Sequence, residues 1–270
     1  MTVDGFLPAL SAVINAFFLV AGVYIYVALI RQIALRRVPV ETPLSRNFGL
    51  PEAIIAILLA LFFALSLVGG APQTAARMHN RDLILSAAFT LGLLLALAGF
   101  LWLRRFDLDL LGGFSKIGFF RCAVTAGVLM LAAYPLIFLG DVVSQRLLRT
   151  VPQKQAIVEM FSGSNTIEQR MLIIAIAVSV APLAEEFIFR FFIYGVVKRY
   201  CGRAVGVLVS AALFAAVHAH LPSLAPLFVL GSCFAIAYEW SGSILVPMTM
   251  HALFNALTLT ALAFPELIKQ

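Results

Sequence analysis

The chain has 270 residues, of which 62% are hydrophobic and only 12% charged, with a formal net charge of +6. Soluble domains carry about 25% charged residues. Half that charge cannot cover a water-facing surface, so a soluble enzyme, a disordered chain, a coiled coil and a collagen-like fibre are excluded. The basic excess does not point to nucleic acid, because Lys and Arg sit in short clusters between apolar runs, the pattern of headgroup anchoring and topology control.

Apolar runs of membrane length lie near 6–30, 52–70, 83–103, 117–140, 171–197, 204–220, 223–240 and 243–264. One span takes about 20 residues. The runs therefore predict an all-α fold: a polytopic membrane helix bundle of about eight transmembrane helices, forming a single membrane-embedded domain over 1–270. No strand alternation is present, and the runs are too long for barrel strands. The first run lacks a basic leader and exceeds a signal-peptide core, so it reads as a retained span. Two polar stretches interrupt the pattern. Residues 31–51 carry Arg31, Arg36, Arg37 and Arg46, and residues 141–170 mix apolar and charged residues. The second is expected to hold a helical piece lying on the membrane surface. Cys122, Cys201 and Cys233 share no CxxC spacing, so neither a disulfide framework nor a thiolate metal site is expected. The chain is expected in a membrane, the cell membrane if the source is prokaryotic. Lys and Arg number eleven on the side of loops 31–51, 104–116, 198–203 and 241–242, with Arg121 near its edge, against seven on the other. That count places both termini outside. His218 lies near the 141–170 side, which is the side of the termini, so the cavity is expected to open there, and a cytosol-facing enzyme would need the orientation opposite to that count.

Ionisable groups inside spans are functional candidates by default. Glu185 and Glu186 lie together in the run SVAPLAEEFIFRFF, with Arg190 four residues after Glu186. Glu followed by Arg at that spacing suits a helical ion pair, which makes Glu186 and Arg190 mutually neutralising supports. Glu185 lies about 100° around the helix and has no cation at three or four residues. His218 ends the sixth run on the face of Gly206, Ser210 and Phe214, whose small members allow close packing and turn the histidine inward. His220 points elsewhere and reads as interfacial; His79 reads as a loop residue. His251 and Asn255 share one face of the last run, extended by Thr258. A carboxylate can take a proton from water attacking a carbonyl, and a histidine can orient that water. Asn N–H and imidazole N–H can stabilise an oxyanion. Glu185, His218, His251 and Asn255 thus support amide hydrolysis without a covalent nucleophile. GxSxG, GxGD and HExxH are absent. A zinc site from Glu185, His218 and His251 stays open on ligand type alone.

EEFIFR at 185–190, FAAVH at 214–218 and HALFN at 251–255 resemble, in this order, the EExxxR, FxxxH and HxxxN motifs of the CPBP (ABI) family of intramembrane glutamic endopeptidases. That family includes the type II CAAX prenyl endopeptidases. The resemblance covers about 170–260. It implies Glu185 as general base, His218 as its partner on the water, His251 and Asn255 as the oxyanion pair, and Glu186 and Arg190 as supports. It implies no metal and no other cofactor. The implied partners are the lipid bilayer and a membrane-anchored or prenylated polypeptide, not nucleic acid. A proton-coupled transporter and a non-catalytic immunity or scaffold protein are the alternatives in other function classes.

Overall fold

A computed structural model describes residues 3–36, 47–69, 80–148, 156–164 and 166–264. His79 lies outside these. The described residues form helices and no strand: α1 (Val3–Leu35), α2 (Leu50–Gly69), α3 (Asn80–Leu103), short α4 (Leu108–Gly112), α5 (Phe119–Leu148), α6 (Ala156–Gly163), α7 (Ile167–Ala175), α8 (Ala181–Glu186), α9 (Gly195–Ala216), α10 (Leu224–Ser241) and α11 (Leu245–Ala263). Two π-helical segments, Ile176–Val180 and Phe187–Tyr194, join α7 to α8 and α8 to α9.

Six helical stretches among the described residues are long and apolar enough to cross a membrane, and the chain is a multi-pass integral membrane protein. One of them, Ile167–Ala216, has 50 residues. At about 1.5 Å per residue it would measure about 75 Å, against a hydrocarbon core of about 30 Å, so it cannot be one span. It is broken at Gly202, whose φ of 84° and ψ of 171° are not helical. The break separates the two runs expected at 171–197 and 204–220. Helix α2 is apolar over Leu50–Leu65 and supplies the remaining run.

The outer helices turn large apolar side chains outward, among them Phe17, Tyr24, Phe62, Phe89 and Trp102, as a lipid-facing surface requires. The core lies around α10 and the helix running from α7 into α9. All eight residues of the second π segment are buried, as are Leu227, Leu230, Phe234 and Ala237 of α10. Gly206, Ser210 and Phe214 are buried too, so the small-residue face of α9 does turn into the bundle. The 141–170 stretch behaves differently from a helix resting on lipid. Helix α5 continues to Leu148, and α6 buries Met160 and Phe161 in a cluster with Leu83, Ile173, Ala177 and Leu259. Its apolar pair therefore packs on protein.

A polar clasp closes one end of the bundle. Glu239 of α10 accepts from Tyr194 Oη at 2.6 Å, Lys198 Nζ at 2.6 Å and Arg203 Nε at 2.9 Å. Arg203 also donates to the Ile33 carbonyl at 2.9 Å, and Trp240 Nε1 to Gln32 at 2.8 Å. Lys198 and Arg203, expected as headgroup anchors, are thus spent partly on helix-to-helix bonds.

Gly202 sits in a backbone region open to glycine alone, with free space where a Cβ would stand. Gly202→Ala is therefore expected to lower stability by about 1–3 kcal/mol through backbone strain and not through a clash. Thermal unfolding in detergent checks this; an unchanged melting temperature would show that the break does not depend on glycine.

Candidate active site

The site begins with a proline. Pro182 stands inside an otherwise continuous helix and has no N–H to donate. Just before it, Ala181 N–H bonds to the carbonyl of Ile176, five residues back. This widened turn is the first π segment, and π turns inside helices are frequent at functional sites. Hydropathy periodicity does not register such a turn. Pro182 within an apolar run was the available signal.

Helix α8 ends on Glu185 and Glu186, and the second π segment carries Arg190. Arg190 is fully buried. Its Nη1 donates to Glu186 Oε1 at 3.0 Å and its Nη2 to the Gly231 carbonyl at 3.2 Å. The guanidinium carbon lies 4.2 Å from the Phe214 ring centroid, 5.2 Å from Phe234 and 5.9 Å from Phe189. A side chain on residue 231 would meet Arg190 Nη2 at 3.1 Å and Ala211 Cα at 3.1 Å, so glycine there lets α10 approach. The expected ion pair is present, but Glu186 does more than neutralise Arg190. His251 Nδ1–H donates to the same Oε1 at 2.9 Å. A carboxylate on one imidazole nitrogen fixes the ring's orientation.

Phe214 gathers the rest. Its ring lies edge-on to His218 at 5.1 Å and to His251 at 5.6 Å, while His251 stacks on Phe234 at 5.2 Å. Both imidazoles and the guanidinium therefore line one phenyl ring. His218 Nδ1–H donates to the Phe214 carbonyl at 2.8 Å. In the neutral ring this leaves Nε2 as an acceptor. Asn255 Nδ2 donates to the Ala177 carbonyl at 2.7 Å. Glu185 has no hydrogen-bonding partner among the described residues, and its Oε2 is buried. The Oε2 of Glu186 is likewise buried and unpaired. Such oxygens call for a donor, from water or substrate.

Direct hydrogen bonds thus join Glu186, Arg190 and His251, and Phe214 brings His218 beside them. Glu185 and His218 are not directly bonded, and Asn255 is tied to backbone. His220 stands apart: its Nδ1 meets Ser223 Oγ at 2.6 Å. Burial depresses its pKa, the Glu159 charge opposing and His218 reinforcing the shift. No three His, Cys, Asp or Glu side chains converge as a metal site among the described residues. Cys122, Cys201 and Cys233 are all free. Sequence reasoning missed Phe214 as the hub, Gly231 as the acceptor for Arg190, and Pro182.

Residues 167–257 match the sequence profile described as Rce1-like, type II CAAX prenyl endopeptidase. The segments 185–190, 214–218 and 251–255 all fall inside that match, which bears out the resemblance over the part of the chain that carries it. The chain is 30% identical over 98 residues to the "Membrane-embedded CAAX protease MroQ" of Staphylococcus aureus (strain USA300), covering 34% of this chain and 40% of that protein. It is 27% identical over 215 residues to the "Putative membrane peptidase YdiL" of Bacillus subtilis (strain 168), covering 76% of this chain and 80% of that protein. The first match spans less than half of its relative's length. No solved structure gives a significant match.

Arg190→Ala leaves Glu186 buried with a single partner and empties the space between three phenyl rings. It is expected to cost about 3–5 kcal/mol, as removal of one partner of a buried ion pair does. The yield of monodisperse protein and its melting temperature measure this. Wild-type stability with activity abolished would make Arg190 a participant in the chemistry instead.

Proposed function

We propose that this protein is an intramembrane endopeptidase of the glutamic type, cutting a peptide bond of a membrane-associated polypeptide of the prenylated CAAX kind. The observation that carries the reading is Glu185: a carboxylate on a membrane helix whose Oε2 is buried with no hydrogen-bond partner among the described residues, next in sequence to Glu186, which holds His251. The matched family and the two protease-named relatives support the same reaction class.

The proposed roles are assigned as follows. Glu185 is free to take a proton from water. His218, with Nδ1–H held by the Phe214 carbonyl, turns the Nε2 lone pair to the same water and aligns its oxygen. The water oxygen bonds to the scissile carbonyl carbon, and its proton passes to Glu185. His251 has given Nδ1–H to Glu186, so it donates from Nε2 when the ring carries both protons. Asn255 keeps a second N–H beyond the one on Ala177. These two donors stabilise the oxyanion. Collapse of the intermediate breaks the C–N bond, and the Glu185 proton leaves with the amine. Glu186 serves by orienting His251 and neutralising Arg190.

Cleavage of a prenylated or transmembrane peptide library by purified protein tests the proposal. Glu185→Gln is expected to fold normally and lose cleavage, about 100-fold or more, because an amide keeps the shape but accepts no proton. EDTA or phenanthroline is expected to leave cleavage intact. Loss on chelation with recovery on added zinc would replace this mechanism with a metalloprotease.

A further inference from the structure

The Ala177 carbonyl, which holds Asn255, is without a donor from its own helix for a definite reason. In an α-helix it would accept from Ala181, four residues on. Ala181 N–H is committed to Ile176. In a continuing π turn it would accept from residue 182, five residues on. Residue 182 is proline and has no N–H. A carbonyl buried on a membrane helix cannot be left to water. Asn255 Nδ2, from α11, fills it at 2.7 Å. A carbonyl only accepts, so the contact fixes which end of the amide faces the helix and where the second N–H and Oδ1 stand. Asn255 is half-buried, and His251, one turn earlier on α11, is anchored to Glu186.

We infer that Pro182 is a positioning residue for Asn255: by withholding an N–H, it reserves the Ala177 carbonyl for the asparagine amide and so aims the remaining N–H of Asn255. The consequence for cleavage rests on the peptidase reading; the hydrogen-bond control does not. Substituting Pro182 by alanine restores a donor. If the helix tightens, Ala181 N–H closes on Ala177; if it stays widened, the new N–H at 182 does. Either way Asn255 loses its anchor to a competitor.

The test combines Pro182→Ala with selective isotope labelling of asparagine in detergent-solubilised full-length protein. The chain has five asparagines, so the Asn255 side-chain NH2 pair is assigned by its absence in Asn255→Ala. In Pro182→Ala that pair is expected to move, while the melting temperature does not fall, since alanine favours helix over proline. On the peptidase reading kcat falls about 10- to 100-fold with KM little changed, the scale of loss when a supporting contact is removed. In an Asn255→Ala background Pro182→Ala costs no further activity, because both act through one side chain. An unmoved Asn255 signal overturns the inference, and so do losses that multiply in the double variant. A signal that moves while cleavage ignores both substitutions upholds the hydrogen-bond control and overturns instead the role given to Asn255 in cleavage. Cleavage lost in Asn255→Ala but unchanged in Pro182→Ala rejects Pro182 and leaves the peptidase reading standing.

Discussion

A guanidinium with no exposed surface has to be neutralised and hydrogen-bonded where it stands, because no solvent remains to do so. Arg190 meets that requirement with parts from several helices. Glu186 comes from its own helix, the Gly231 carbonyl and Phe234 from α10, and Phe214 from α9. Through Glu186 the requirement extends to His251 of α11. The late helices are therefore located relative to one another by a single cation. The imidazoles take their positions from the same phenyl rings that cage it.

The helix bearing Arg190 is held again further along. Tyr194 donates to Glu239, which also receives Lys198 and Arg203, and Arg203 reaches back to α1. Near α4 a second close contact adds to this end: Ile244 N–H bonds to the Gly112 carbonyl, and Tyr238 Oη to Leu111. Gly113, at a φ of 62°, packs its backbone directly on Gly242, a contact that a side chain would block. Two polar fixtures on one helix restrain its rotation. A slip of one residue would turn Glu185 about 100° away from its neighbours.

The bundle and its motif residues were legible because membrane insertion is governed by transfer free energy, which hydropathy reads directly. The runs near 83–103 and 243–264 correspond to α3 and α11 with small shifts at their ends. The ion pair of Glu186 and Arg190 was legible because helical spacing alone brings them together. What escaped depends on hydrogen-bond register and on contacts between distant segments. The second partner of Glu186 lies 65 residues away. The π turns shift register without altering composition, so the run 171–197 reads as one ordinary helix. Lys198 and Arg203 carry the same charge whether they meet phosphate or Glu239. Only folding decides between them.

The break at Gly202 also sets a length. After it, α9 runs over 203–216, and α10 returns over 18 residues. Fourteen residues rise about 21 Å, some 9 Å short of a hydrocarbon core of about 30 Å. The turn between them carries His218 and His220 and is held from two sides: Ser144 Oγ of α5 donates to the Pro222 carbonyl at 2.7 Å, and within the turn Ser223 N–H donates to the His220 carbonyl. Irregular backbone at such depth is tolerated where protein or a wet recess surrounds it. The hairpin therefore turns back after fourteen residues of α9, and the shortness of that helix leaves His218 on a turn held by α5 from within the bundle.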